Sequence, residues 1–506
     1  MTNLASNELV VAGWILVLLY SAVILFFVVR GARKTKSMND YAVGSFTFSP
    51  ISVGLALAAA MTSAATFIIN PGFIAFYGFS AVISFGFVLP VASLISLVFL
   101  TKGFRKHGMN VKALTMAQWM GTRYNSKGYA LFFAFLSLLL ITFIVLIAVG
   151  LTKVLAKTLN VAELNILIGI VVFIFGYMMF GGANSMVYTN TVQAIIMLIV
   201  AFIMIGSGAD NLSAGFTGLF DKLKSIDPKL VQTTNDSSFL FRDYFEIFIT
   251  QIIIGVAIVC QPHIITKSLL LKTDKDVNRY LVTGIIVQFV FFLVVLTGLW
   301  ARITFPDLMA NGVPLKLDGV ISAYVVKKFS WFVGLIVIMG LISAGISTLE
   351  GLIQSVSTTV TADIIKPLFG KFIKSGEDSW GKIYVTINKI VIIAIGLVSI
   401  LLSYDQLVNP KLSVGIFAQN GVYAYFSAAF VPILFGMFIK NIRKTAVIFA
   451  SATAIIVHFS FYYGKIKVPF SVVTGENPGV AAAMAIISSL IVGSVIYLLT
   501  REKNAA

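Results

Sequence analysis

The polar residues with the clearest capacity for chemistry in this sequence lie inside one long apolar run. Ser343, Ser347, Glu350 and Gln354 recur at helical spacing, and Thr348 stands beside them. This spacing predicts a single polar stripe along a helix. Serine and threonine in membrane helices often only bond to their own backbone or join neighbouring helices. A carboxylate in the same stripe favours a functional site instead, because an unpaired charge at membrane depth is costly.

A small hard cation is the ligand that such a stripe favours. The cation needs several oxygen atoms to replace its hydration shell, and hydroxyls on an intact helix supply only some of them. Backbone carbonyls released where a second helix unwinds can supply the rest. The small-residue run at 58–66, which precedes Asn70-Pro71-Gly72, is the natural partner. The hypothesis from these residues is a sodium site that lacks a formal carboxylate.

Other polar or small residues at membrane depth are candidates for binding a solute. They are Thr66, Gln251, Gly255, Gln419 and Asn420. Gln251 either faces a cavity or joins two helices. His263, beside Pro262, is interpreted as a structural hydrogen bonder rather than a proton carrier. No Arg or Lys is evident at the midplane to hold a carboxylate, although helix N-termini could hold an anion.

The composition requires these residues to sit in a polytopic α-helical membrane protein. Of 506 residues, 58% are hydrophobic and 11% are charged, and the mean hydropathy is +0.97. A soluble domain is about a quarter charged, so soluble enzymes and nucleic-acid-binding proteins are excluded despite the net charge of +17. Outer-membrane barrels are excluded because alternating strands are absent. The single cysteine, Cys260, excludes disulfides and cysteine-based metal sites.

Runs long enough to cross about 30 Å of hydrocarbon recur along the chain. We predict about thirteen spans, at 9–30, 48–76, 80–101, 129–152, 162–181, 186–208, 244–269, 280–303, 331–357, 384–404, 412–439, 444–463 and 480–499. The whole chain, 1–506, is predicted to be one transmembrane domain, and no cleavable signal peptide is expected. The basic clusters at 30–36, 102–112 and 440–444 fall in alternate connections, which predicts an external N-terminus and a cytoplasmic C-terminus.

Two of the predicted spans are interrupted. The second contains Pro71-Gly72, and the seventh contains Gly255 and then Gln261-Pro262-His263. Interrupted helices at corresponding places in two halves are typical of transporters with inverted repeats and a midplane site. Glycine and proline are also common in ordinary membrane helices, so these features alone leave both interpretations open.

Four motifs in order resemble the sodium/solute symporter family, which includes bacterial proline and pantothenate permeases and sodium/glucose cotransporters. They are residues 39–44 with 63–67 and 71–72, residues 181–182 with 187–190 and Gln193, residues 261–265 with Lys267, and Ser347-Thr348 with 362–364. The resemblance covers nearly the whole chain. It implies a LeuT-type fold, with five-plus-five inverted repeats at 48–208 and 244–439. One extra helix at 9–30 precedes them, and two at 444–499 follow.

The resemblance also implies a sodium site between the first and eighth core helices. Its implied ligands are the carbonyls of Ala59, Thr62 and Ala344 and the hydroxyls of Ser347 and Thr348.

The sequence departs from the family pattern at three places. Met61 replaces the aspartate of proline permease, which argues against proline as the substrate. Asn190 replaces the usual aspartate of the fifth core helix, and Glu350 stands where small or amide residues are usual. We hypothesise that Asn190 and Glu350 lie close together as a second cation or proton site.

The expected function is a sodium-coupled symporter that imports a carboxylate, an amino acid or a sugar-like solute by alternating access. The alternatives are a proton-coupled or sodium-independent transporter of the same fold and a transporter-like sensor. The expected partners are the small-molecule substrate and the lipid bilayer of the plasma (inner) membrane, with no nucleic acid and no obligate protein partner.

Overall fold

The computed structural model describes residues 7–44, 48–63, 65–111, 113–370, 380–409, 414–468, 471 and 477–500. The described chain is helical apart from its connections and one short hairpin, Met309–Ala310 with Val313–Pro314. The main helices are α1 (Asn7–Ala32), α2 (Met38–Val43), α3 (Pro50–Met61), α4 (Ala65–Tyr77), α5 (Phe79–Gly108), α6 (Met116–Arg123), α7 (Lys127–Leu159), α8 (Glu163–Gly206), α9 (Gly215–Ile226), α10 (Phe245–Cys260), α11 (Pro262–Leu270), α12 (Asp274–Thr304), α13 (Val320–Lys328), α14 (Trp331–Phe369), α15 (Gly381–Val408), α16 (Val414–Phe438), α17 (Lys444–Gly464) and α18 (Pro478–Thr500). The all-α membrane fold is therefore confirmed.

Within the described ranges, ten helices are long and apolar enough to cross a bilayer, and two bent pairs raise the number to twelve. The 44-residue helix α8 covers two of the predicted spans. At about 1.5 Å per residue it is roughly twice as long as the hydrocarbon core is thick. It is broken at Gly182, where φ is +56° and ψ is −153°. Dividing α8 there would give the thirteen predicted spans, and the number of crossings stays a prediction.

The first bent pair joins α3 to α4 at an angle of 54°. Helix α3 ends at Thr62, whose φ of −98° and ψ of 86° are not helical. The Thr62 hydroxyl donates to the Gln288 side-chain carbonyl on α12 over 3.0 Å, and the Ser63 hydroxyl accepts from the Ala65 N–H. Side chains thus take over from the helical backbone at the break, and the last carbonyls of α3 lack helical partners.

The second bent pair joins α10 to α11 at 61°. Gln261 has the extended conformation at this break, with φ −67° and ψ 134°. Pro262 follows, and proline disfavours helical geometry in the residue before it. The second break occurs at the interruption predicted in the seventh span. The first break, at Thr62, falls in the small-residue run at 58–66 and not at Pro71-Gly72, which lie within the continuous helix α4.

Close packing surrounds the polar helix α14. A Cβ atom at Gly345 would lie 2.5 Å from Leu151 of α7, and one at Gly340 would lie 2.5 Å from Val200 of α8. Only glycine permits this separation, which is below any ordinary carbon–carbon contact. Helix α14 is therefore held against α7 and α8, with its polar stripe buried among neighbouring helices.

Candidate functional site

The hydroxyls of Ser347 and Thr348 reach from α14 to the broken end of α3. The Ser347 Oγ donates to the Ala59 carbonyl over 2.9 Å and lies 3.1 Å from the Ala344 carbonyl. The Thr348 Oγ1 lies 3.3 Å from the carbonyls of both Ala60 and Ala344. Both side chains are fully buried. The result is a compact cluster of neutral oxygens between two helices.

The structure brings four of the five expected sodium ligands into direct contact: Ala59, Ala344, Ser347 and Thr348. The Ala60 carbonyl joins them, and the sequence did not single it out. Thr62 lies at the break itself, where its hydroxyl bonds to Gln288 of α12. Neutral hydroxyl and carbonyl oxygens are ligands that suit a hard cation, so the residues present fit sodium.

Glu350, one helical turn farther along α14, is completely buried. Tyr177 donates to its Oε1 over 2.5 Å, and Thr189 donates to its Oε2 over 2.6 Å. Both donors lie on α8. Asn190, the expected neighbour, is also buried, but neither atom of its amide has a hydrogen-bond partner in the part of the chain that the structure describes. The partners of Glu350 are thus Tyr177 and Thr189, which sequence reasoning missed.

The two ends of the polar stripe have separate partners. The Ser343 hydroxyl bonds to the Tyr20 hydroxyl of α1, which also accepts from Gln193. Gln354 donates to the carbonyls of Tyr41 and Ala42, over 3.0 and 2.7 Å. These contacts join α14 to α1 and α2 and give hydrogen-bond partners to the buried polar groups at both ends of the stripe.

A cavity of about 110 Å³ opens beside the break between α3 and α4. Two of the predicted solute-binding residues, Thr66 and Gln419, line this central cavity. Gln261 also lines it, and its side-chain carbonyl has no hydrogen-bond partner among the described residues. Apolar side chains such as Phe85 and Phe143 form much of the remaining wall. A few polar groups in a largely apolar pocket are typical of a small-molecule site.

The other predicted solute-binding residues do not line the central cavity. A Cβ at Gly255 would lie 2.7 Å from Ala92, so this glycine serves the close packing of α10 on α5. Asn420 faces α17, where it bonds to His458 over 3.0 Å and to Tyr463 over 3.2 Å. Gln251 is buried on α10, away from the cavity lining. The sequence identified these residues as polar or small but not the direction in which they face.

His263 and Lys267, both on α11, are buried polar residues of the second bent pair. Both are nearly fully buried. Neither ring nitrogen of His263 and no proton of the Lys267 ammonium has a hydrogen-bond partner within the described ranges. His263 was expected to be a structural hydrogen bonder, and that expectation was wrong. The one feature of the sequence that indicated this burial is Pro262, because the bend before it turns α11 back into the protein.

Comparisons with known proteins settle the family. A model of the sodium:solute symporter family matches residues 41–453. This chain belongs to that family. The resemblance inferred from the four motifs is therefore confirmed, together with its implication that the chain is a transporter and not an enzyme.

Similar proteins cover most of the chain. The sodium/pantothenate symporter of Haemophilus influenzae is 27% identical over 349 residues, 68% of this chain and 69% of that protein. The monocarboxylic acid transporter of Corynebacterium glutamicum is 23% identical over 458 residues, 85% of this chain and 79% of that protein. A solved structure of a substrate-bound, outward-open sodium-coupled sialic acid symporter has a TM-score of 0.74 at 16% identity, covering 97% of this chain and 98% of that one.

These comparisons confirm the LeuT-type fold and the general function. The protein is a membrane-embedded symporter that imports a small organic solute together with sodium, by alternating access.

Proposed function

We propose that one sodium ion binds between the broken end of α3 and the middle of α14. The carbonyls of Ala59, Thr62 and Ala344 and the hydroxyls of Ser347 and Thr348 coordinate it. The observation that supports this assignment is the 2.9 Å contact of Ser347 Oγ with the Ala59 carbonyl across the break. A hydroxyl both donates and accepts, so each can rotate from bonding a carbonyl to presenting a lone pair to the ion.

The solute binds in the central cavity, next to the sodium site. Thr66 and Gln419 offer hydroxyl and amide groups, and the unpartnered Gln261 carbonyl offers an acceptor. The substrate is a carboxylate, an amino acid or a sugar-like molecule. Pantothenate and a monocarboxylic acid are the solutes in the names of the two relatives described above. The protein lies in the plasma membrane with its N-terminus outside and its C-terminus in the cytoplasm.

Sodium and solute are coupled through the break between α3 and α4. On the α3 side, the last proposed sodium ligand is Thr62. Thr66, which lines the central cavity, lies four residues later, in the first turn of α4. Sodium that fixes the end of α3 therefore shapes one wall of the central cavity, which links the two binding equilibria. One sodium ion moving through 100 mV yields about 2.3 kcal/mol, and a tenfold gradient adds about 1.4 kcal/mol. Together they sustain roughly 10²- to 10³-fold accumulation.

Proteoliposome uptake tests this proposal. A panel of radiolabelled pantothenate, pyruvate, proline and glucose, with an inward sodium gradient, identifies the solute. Ser347→Ala combined with Thr348→Ala should raise the sodium concentration for half-maximal uptake at least about tenfold, because two ligands of roughly 1 kcal/mol each are lost. Thr348→Ser keeps the oxygen and should be milder.

Ser343→Ala is the matched control for these variants. It removes a buried hydroxyl from the same helix, but this hydroxyl bonds to Tyr20 rather than to the broken end of α3. An unaltered sodium dependence in the double variant, with Ser343→Ala also unaltered, would refute the site.

A second proposal concerns Glu350 as an additional cation or proton site. A buried carboxylate with two hydroxyl donors is prepared to hold a sodium ion or a proton. Asn190, with its unpartnered amide on the same helix as Thr189, is a further neutral ligand. This site would allow the protein to move a second sodium or a proton with its solute.

A further inference from the structure

A second, smaller cavity lies between α11, α14 and α2. It has a volume of about 30 Å³ and is lined by residues that include His263, Lys267, Gln354 and Thr358. We call it the lysine cavity. His263 also lines the central cavity, so a single side chain is shared by the two spaces. This volume corresponds to about two water-sized positions, which suits the two oxygens of a carboxylate and not a whole solute.

Polar groups without partners face this space. The Lys267 ammonium, both ring nitrogens of His263 and the Thr358 hydroxyl have no hydrogen-bond partner within the described ranges. Lys267 is 2% exposed, His263 4% and Thr358 2%. A buried polar group without a partner costs about 1 to 3 kcal/mol, and more if it is charged. Three such side chains around one cavity therefore indicate a site whose ligand accepts hydrogen bonds.

Lys267 determines the charge of that ligand. It interacts electrostatically with Glu350. The two form no ion pair in the part of the chain described, and Glu350 already receives hydrogen bonds from Tyr177 and Thr189. The three donor protons of the ammonium are thus available to another group. A lysine ammonium beside a second donor, such as histidine or threonine, favours a ligand with a carboxylate group, because a hydrogen bond between two charged groups is stronger than one between neutral groups.

We propose that the lysine cavity binds the carboxylate group of an anionic solute on its path between the central cavity and the cytoplasm. Lys267 and His263 donate to the carboxylate, and Thr358 supports it. This inference rests on the proposed function and narrows it, because the solute is then an organic carboxylate. Because His263 lines both cavities, its ring can contact a carboxylate in the central cavity and one beside Lys267.

Equilibrium binding to the purified full-length protein in lipid nanodiscs tests the proposal, with radiolabelled pyruvate as the probe and sodium present. Lys267→Gln should weaken pyruvate binding at least tenfold, equivalent to about 1.4 kcal/mol. Lys267→Arg keeps the charge and should remain within roughly threefold of the wild type. Lys272→Gln is the matched control, because Lys272 is exposed and follows the end of α11 at Leu270.

Three outcomes would overturn the proposal. The first is an unchanged pyruvate affinity in Lys267→Gln. The second is full recovery in Lys267→Gln combined with Glu350→Gln, because Lys267 would then only balance the charge of Glu350. The third is a wild-type protein that binds none of pyruvate, lactate, acetate and pantothenate. Sodium-driven uptake of glucose or another neutral solute by that same preparation would leave the proposed function standing while this inference fails.

Discussion

The charge and the hydrogen bonds of Glu350 can be removed separately. In Glu350→Gln, the amide oxygen can accept from one of the hydroxyls of Tyr177 and Thr189, and the amide nitrogen can donate to the other. The variant therefore loses the charge and keeps both contacts. Tyr177→Phe does the reverse: it keeps the carboxylate and removes the donor that lies 2.5 Å from Oε1.

The two variants should shift cation dependence in opposite directions. A hydrogen bond to a charged group contributes about 1.5 to 3 kcal/mol, or roughly a tenfold to hundredfold change in an equilibrium constant. A cation that binds the carboxylate must compete with the Tyr177 hydroxyl. Tyr177→Phe should therefore lower the cation concentration for half-maximal uptake about tenfold or more, whereas Glu350→Gln should raise it or abolish uptake.

Uptake into proteoliposomes, measured against sodium concentration and external pH, separates the two cations. A second sodium at Glu350 gives a Hill coefficient above one in the wild type that falls to about one in Glu350→Gln. A proton instead gives a pH dependence that disappears in this variant. Normal uptake with unaltered sodium and pH dependence in Glu350→Gln would refute the reasoning and leave Glu350 as a structural link between α14 and α8.

Two further predictions concern the backbone and the topology. Gly182→Ala should lower the melting temperature in detergent by an amount equivalent to about 2 kcal/mol or more, since φ is +56° and a Cβ would lie 2.7 Å from the Tyr41 backbone; Gly176→Ala, with open space around its Cβ position, should have little effect, and equal melting of the two variants would contradict the argument. In a Cys260→Ser background, cysteines at positions 3 and 504, which lie outside the described residues, should label from outside and inside respectively, and external labelling of position 504 in intact cells would overturn the orientation.

Helix periodicity was enough to predict which face of α14 carries the buried polar stripe of the proposed sodium site. The stripe that contains Glu350 predicts a functional role for Ser347 and the adjacent Thr348, and the structure places both hydroxyls against the broken end of α3. The run of small residues at 58–66 indicated the break, whereas Pro71-Gly72, also expected to interrupt the span, lie within α4. The particular carbonyls came from the family resemblance, because a sequence of alanines carries no signal about which backbone oxygen is turned toward α14.

Burial of Lys267 could not be predicted in the same way. A lysine in the last residues of a predicted span, as Lys267 is in 244–269, is typical of a helix end at the membrane surface. The 61° bend at Pro262 instead directs α11 back against α14, so that this lysine is buried. Proline indicated that the helix would break, but the direction of the following helix depends on packing partners far away in the chain.

Rotation about the helix axis accounts for the remaining differences. Successive residues on an α-helix point about 100° apart, and of the neighbours Gln419 and Asn420 only Gln419 lines the central cavity. Of the neighbours Thr189 and Asn190 on α8, Thr189 bonds to Glu350, whereas the family pattern points to Asn190. Polarity in a sequence identifies which turn of a membrane helix has a polar partner. Which of two adjacent side chains meets that partner is decided by how the helix packs, as the placement of α16 against α17 shows for Asn420.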